Sequence, residues 1–218
     1  MRDTRWSLIV PLKPLRLAKS RLAAVAGNAL RPSLALAFAE DTVGAALACA
    51  AVRDVTVVTD DPLAARRLAP AGARIVPDVP GRGLNAALAH GAEAVRAAAP
   101  SVAVAALNAD LPALRAAELA RVLAAAGGHR RSFLADAAGV GTTLLAAAPG
   151  AALQPEFGGA SRAAHRASGA VELTLEGVDS VRQDVDTGAD LRAALALGVG
   201  RHTAAGARRL TASAVSPR

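Results

Sequence analysis

The stretch Val102–Pro112, VAVAALNADLP, decides the fold. Six apolar residues follow Pro100 and end at Asn108-Ala109-Asp110, after which Leu111-Pro112 turns the chain. So short a run with a proline on either side reads as a buried strand rather than a helix. It delivers an amide and a carboxylate to the strand's C-terminal end. In an open α/β sheet, ligand-binding loops gather at that edge. Helical patterns flank it, Gly83 to Ala98 before and Ala116 to Ala126 after.

The alternation continues toward both ends. Trp6 to Pro11 (WSLIVP) and Val55 to Thr59 read as strands, with a long helix over Pro32 to Ala51 between them. Pro32 is tolerable in the first turn of that helix, where its missing amide would be unpaired. Asp61-Pro62 opens a short helix, and Arg74 to Val76 forms a very short strand. Beyond Ala126 the rhythm loosens. Ser132 to Asp136 and Thr142 to Ala147 form a hairpin or two sheet strands around Gly139 and Gly141. Ala160 to Ser168 is a short helix, Val171 to Leu175 a strand and Asp190 to Leu197 the last helix. The pattern predicts an α/β fold. A chain of 218 residues suits one domain, taken as 1–203, with 204–218 as a flexible tail.

Composition narrows the function classes. Alanine and small aliphatics supply most of the 53% hydrophobic content, and aromatics only 2%. The lone Cys49, inside an apolar helical pattern, excludes an intramolecular disulfide framework and a cysteine zinc site, and fits a reducing cytoplasmic setting. The longest uncharged run, Ala137 to Pro155, is broken by glycines and prolines and does not read as a membrane span. The net charge of +7, from 25 basic and 18 acidic residues, admits a nucleic-acid binder. Against that reading, there is no tyrosine and no basic–aromatic stripe for stacking bases. A basic cleft for phosphate-rich small molecules accounts for the same charge, with no nucleic acid and no membrane as partner.

Four segments could carry chemistry. Lys13, Arg16, Lys19 and Arg21 crowd the loop after the first strand, and Lys13 and Lys19 are the chain's only lysines. Such a loop suits a triphosphate, or is simply a solvated basic surface; it lacks the glycine spacing of a P-loop. Asp110 sits at a strand end where a carboxylate can meet a hard cation, or can cap the turn. In Asp184-Val185-Asp186-Thr187 an extended backbone puts both carboxylates on one side, favouring a metal between them. Alternatively, Asp186 or Thr187 caps the last helix, with Asp190 in its first turn. Finally, Gly139-Val140-Gly141-Thr142-Thr143 and Phe157-Gly158-Gly159-Ala160-Ser161 pair flexible backbone with hydroxyls suited to an anion. His165, one turn beyond Ser161, either faces that pocket or is a hydrogen-bonded structural histidine.

Taken in order, VPLKPLRLAKSRLA (Val10–Ala23), NADLPAL (Asn108–Leu114), GTTLLAA (Gly141–Ala147), FGGAS (Phe157–Ser161) and DVDT (Asp184–Thr187) resemble the guanylyltransferases of coenzyme F420 biosynthesis. The resemblance runs from about Trp6 to Leu197. It implies a Rossmann-like, GT-A-type nucleotidyltransferase fold with a mostly parallel central sheet. It implies transfer of GMP from GTP to phosphoenolpyruvate or, in the other branch, to 2-phospho-L-lactate. The arginine- and alanine-rich composition suggests a GC-rich bacterial genome and so favours phosphoenolpyruvate. The product would pass to a downstream deazaflavin transferase. By the same resemblance Asp110, Asp184 and Asp186 bind Mg2+, and Lys13 and Lys19 belong to the nucleotide loop, Lys19 with a catalytic role. Asn85 approaches the nucleoside, and Thr143, Gly158 and Ser161 hold the acceptor's phosphate or carboxylate.

Overall fold

The computed structural model describes residues 5–79 and 81–215. Strands β1 (Trp6–Pro11), β2 (Val52–Val58), β3 (Arg74–Val76), β4 (Ala103–Leu107), β5 (Arg131–Ala135), β6 (Thr142–Ala147) and β7 (Val171–Glu172) form one sheet in the order β3-β2-β1-β4-β6-β5-β7. The first four run parallel; β6 is antiparallel to both β4 and β5, and β7 pairs parallel with β5. The helices are α1 (Ala23–Leu47), α2 (Pro62–Leu68), α3 (Leu84–Ala98), α4 (Ala116–Ala126), α5 (Ser161–Ala167), α6 (Asp179–Arg182), α7 (Gly188–Leu197) and α8 (Arg201–Val215). Among the described residues no helix is long and apolar enough to cross a membrane.

Period-two alternation divides each central strand between two cores. Trp6, Leu8 and Val10 join α1, α2 and α4 on one face, whereas Ile9 joins α3 on the other. On the α3 side the helix lies very close to the sheet. A Cβ at Gly91 would stand 2.6 Å from Ile9 and 2.7 Å from Val58, so glycine sets the spacing there.

Several sequence expectations change: β2 begins at Val52 rather than Val55, β7 ends at Glu172 rather than Leu175, and α1 ends at Leu47 rather than Ala51. Helix α1 begins at Ala23, not Pro32, and is interrupted at Gly27 (φ 64°), which places Pro32 just behind a fresh helical start. The expected flexible tail is helix α8 as far as Val215; Ser216 to Arg218 lie outside the described residues. Its first turn is capped by a remote group. The Asp41 carboxylate, on α1, accepts from His202 N–H (3.1 Å) and Thr203 N–H (2.7 Å). Gly206 lets α8 approach Leu34 of α1, since a Cβ there would stand 2.9 Å from the leucine. No local capping residue announces such a helix in the sequence.

Candidate active site

At the C-terminal edge of β1 and β4 lies a cleft of about 380 Å³. Its charged lining comprises Lys13, Lys19, Arg21, Asp110, Asp184 and Asp186, with Asn108 beside them. The basic loop reaches it because other elements hold its backbone. Leu12 N–H donates to Val58 O (2.9 Å), and Leu15 N–H to Asp61 Oδ2 (2.8 Å). Asp61 also caps α2 through Leu63 and Ala64 N–H, at 3.0 Å each. Burial opposes its ionisation, but the amides of Leu15, Ala64 and Leu63 outweigh that and hold its carboxyl below the usual range. Arg31 of α1 donates to the Ala18 carbonyl and to Arg16 O, the latter at 2.8 Å. At the end of this clamped segment Lys19 takes a positive φ of 55°, uncommon for a side-chain-bearing residue.

The aspartates come from two places in the chain. Asp110 follows β4, and its carbonyl accepts Val185 N–H (3.1 Å), joining the two segments. The Val185 side chain is fully buried against α7, while Asp184 and Asp186 line the cleft, the alternation expected of an extended stretch. The nearby Asp190 is otherwise engaged: with Thr187 it forms the capping box of α7.

Lys19 Nζ bridges the Asp110 carboxylate and Asp186 Oδ1, the latter at 2.7 Å. Burial alone would lower the lysine's pKa; the two carboxylates push it up instead. Burial likewise disfavours charge on Asp186, yet Lys19 first, then Arg21 and Lys13, hold it below the usual carboxylate range. Asp184 lacks that relief. Burial, and then the like charges of Asp110 and Asp186, raise it to about 7, with Lys19 only partly offsetting them. Among the described residues no three acidic, imidazole or thiol groups are gathered as a ready metal cage. The cation between Asp110 and Asp186 is here the ammonium of Lys19.

Asn85, Thr143, Gly158 and Ser161 lie outside the lining of this cleft. Thr143 is adjacent to it: its carbonyl accepts Asn108 N–H (3.0 Å), and its hydroxyl is buried with no hydrogen-bond partner among the described residues. Asn85 uses both ends of its amide on one residue, accepting from Phe157 N–H (2.8 Å) and donating to Phe157 O (3.0 Å). Gly158 (φ 110°) and Gly159 (φ 46°) follow, and Ser161 is buried at the start of α5.

His165 is a structural histidine. It is fully buried, accepts Glu156 N–H at Nε2 (2.9 Å) and therefore donates from Nδ1 to Thr142 Oγ1 (2.9 Å). The Phe133 and Phe157 rings pack around it, with centroids at 5.7 and 5.0 Å. Burial, aided by the Arg131 charge, lowers its pKa to about 4. Three supporting residues were missed in the sequence. Arg31 and Arg131 carry no local signal, and the Asp-Pro pair at Asp61 announces a helix cap but not its bond to Leu15.

The MobA-like NTP transferase domain family matches residues 29–184. A phosphoenolpyruvate guanylyltransferase of Streptomyces avermitilis is 72% identical over 94% of this chain and 95% of its own length. A second, from Thermomonospora curvata, is 63% identical over 96% of this chain and 92% of its own. Among solved structures, a nucleotidyl transferase from Methanothermobacter superposes with a TM-score of 0.62 at 23% identity, covering 88% of this chain and 97% of that one. The strand order, the acidic and basic cleft at its C-terminal edge and near-full-length identity converge: the chain belongs to the phosphoenolpyruvate guanylyltransferases, within the MobA-like NTP transferase domain family.

Proposed function

We propose that this chain transfers GMP from GTP to phosphoenolpyruvate, giving enolpyruvoyl-2-diphospho-5'-guanosine and pyrophosphate. The observation that carries the chemistry is the placing of two lysines, an arginine and three aspartates around one cleft. Relatives 63–72% identical to the chain carry the choice of substrates. An acceptor phosphate oxygen attacks the α-phosphorus of GTP, and the bond from that phosphorus to the leaving pyrophosphate oxygen breaks. The attacking phosphate is already ionised near neutral pH, so no general base is required.

What the site must do is bring two polyanions together. Lys13, Lys19 and Arg21 are placed to hold the triphosphate, and preorganised cations stabilise charge on the departing pyrophosphate. Asp110, Asp184 and Asp186 would hold Mg2+. Their hard oxygens suit it, and a cation there would relieve the burial and the like charges that raise Asp184. Bound there, the ion would neutralise phosphate charge and act as a Lewis acid. Lys19 must then exchange a carboxylate for a phosphate, a short move for a flexible side chain. On the acceptor side, the unpartnered Thr143 hydroxyl, the Gly158 backbone and Ser161 supply donors for a phosphate or carboxylate.

The test is pyrophosphate release from purified protein with GTP and magnesium, comparing phosphoenolpyruvate with 2-phospho-L-lactate. The downstream deazaflavin transferase is added to pull the equilibrium forward. Turnover with phosphoenolpyruvate is expected. Preference for 2-phospho-L-lactate would reassign the acceptor, and silence with both would remove the proposal.

A further inference from the structure

The segment from Ala148 to Ala160 has no regular secondary structure, yet side chains from three elements fix its backbone. Arg131, almost wholly buried on β5, donates to Leu153 O (3.2 Å), to Gln154 O (3.0 Å) and to Ser168 O (2.9 Å). His165 on α5 receives Glu156 N–H. Asn85, in the first turn of α3, pairs with both polar groups of the Phe157 backbone, as a neighbouring strand would. Asn85 is the last of these pins before Gly158 and Gly159. Both glycines have positive φ and open space where a Cβ would point. Apart from the first-turn bonds of α5 to Ala160 O, the next tie is Arg162 N–H to Val140 O (3.1 Å).

Asn85 is also one residue from Leu84, which lines the nucleotide cleft. Its amide therefore connects a wall of that cleft to the glycine pair. Phe157 engages both ends of that amide, which fixes the side chain toward the loop and leaves one N–H and one lone pair for any other partner. We propose that Asn85 is a positioning residue for the acceptor: it fixes the Phe157–Gly158 backbone that binds the small acid, and it does not read the nucleoside. The inference rests on the proposed function, in which Gly158 and Ser161 hold the acceptor.

Steady-state kinetics of Asn85→Ala and Asn85→Asp separate the two roles. Asn85→Ala removes both bonds, whereas Asn85→Asp keeps an acceptor for Phe157 N–H and sets a carboxylate against Phe157 O. Both variants should raise the KM for phosphoenolpyruvate about tenfold, the effect of losing one or two ordinary hydrogen bonds, with the KM for GTP unchanged. A raised KM for GTP, or weakened discrimination against ATP, with a normal acceptor KM would overturn the inference. A second readout needs no variant. In the wild type, phosphoenolpyruvate should slow amide hydrogen exchange across residues 157–161; exchange there indifferent to the acceptor would also overturn it. Failure of the functional reading is distinguishable, because the wild type itself would then not turn over phosphoenolpyruvate.

Discussion

Asp184→Asn should make the nucleotide-free protein more stable at alkaline pH while removing its turnover. Burial and two neighbouring carboxylates raise the Asp184 carboxyl from its ordinary 3.8 to about 7. A raised folded-state value means that the protonated form is the one the fold favours. That contribution is fully present below pH 3.8 and is lost as pH rises through 7. At about 1.4 kcal/mol per pH unit, the full penalty above pH 7 is about 4 kcal/mol. Asp110, Asp186 and Lys19 can readjust around a neutral amide, so a measured gain of about 1–4 kcal/mol is expected at pH 8.5. For a chain of this size that raises Tm by several degrees, at about 2–4 °C per kcal/mol. The assay is urea and thermal unfolding of wild type and variant in chelator, from pH 4 to 8.5. The variant's margin should grow with pH, and saturating GTP with magnesium should narrow it by stabilising the wild type more than the variant. A variant no more stable than wild type at pH 8.5, or a margin indifferent to pH, would refute the reasoning.

Two further outcomes follow from packing and capping. Gly91→Ala places a methyl within 2.7 Å of Ile9 and Val58 between α3 and the sheet, and should cost about 1–3 kcal/mol in urea unfolding. Asp41→Ala removes the carboxylate that caps α8 and should cost about 1–2 kcal/mol. Limited proteolysis should then cut within Arg201–Val215 well before the rest of the chain.

What the sequence reveals and what it hides divide along the range of the interactions. Strand β6 and helix α4 were legible to the residue, because Thr142–Ala147 and Ala116–Ala126 carry their periodicity and their turn residues locally. The acidic cluster was legible too, since alternation alone puts Asp184 and Asp186 on one side. Helix α8 was hidden because its cap comes from Asp41, 161 residues away. Helix α6, four residues long, has no pattern of its own; it is held by Glu118, which accepts from Ser180 N–H and from the Ser180 hydroxyl. The same limit applies to Lys19 and Asn85. Their residue types suggested ligands, whereas their partners, Asp110 and Phe157, are fixed only by the assembled sheet and loops.

The reversal of β6 has a consequence for how such a protein can diversify. A strand running against β4 starts where β4 ends, so Thr143 meets Asn108 across a single hydrogen-bonded seam. On one flank of the seam, β1 to β4 carry the basic loop and Asp110; on the other, β5 to β7 carry the segments around Gly158 and Ser161. Each flank keeps its own internal register. Because the Asn85–Phe157 pair and the shared cores also cross from one flank to the other, the stretch from β5 to β7 can change only in step with the half that carries the basic loop.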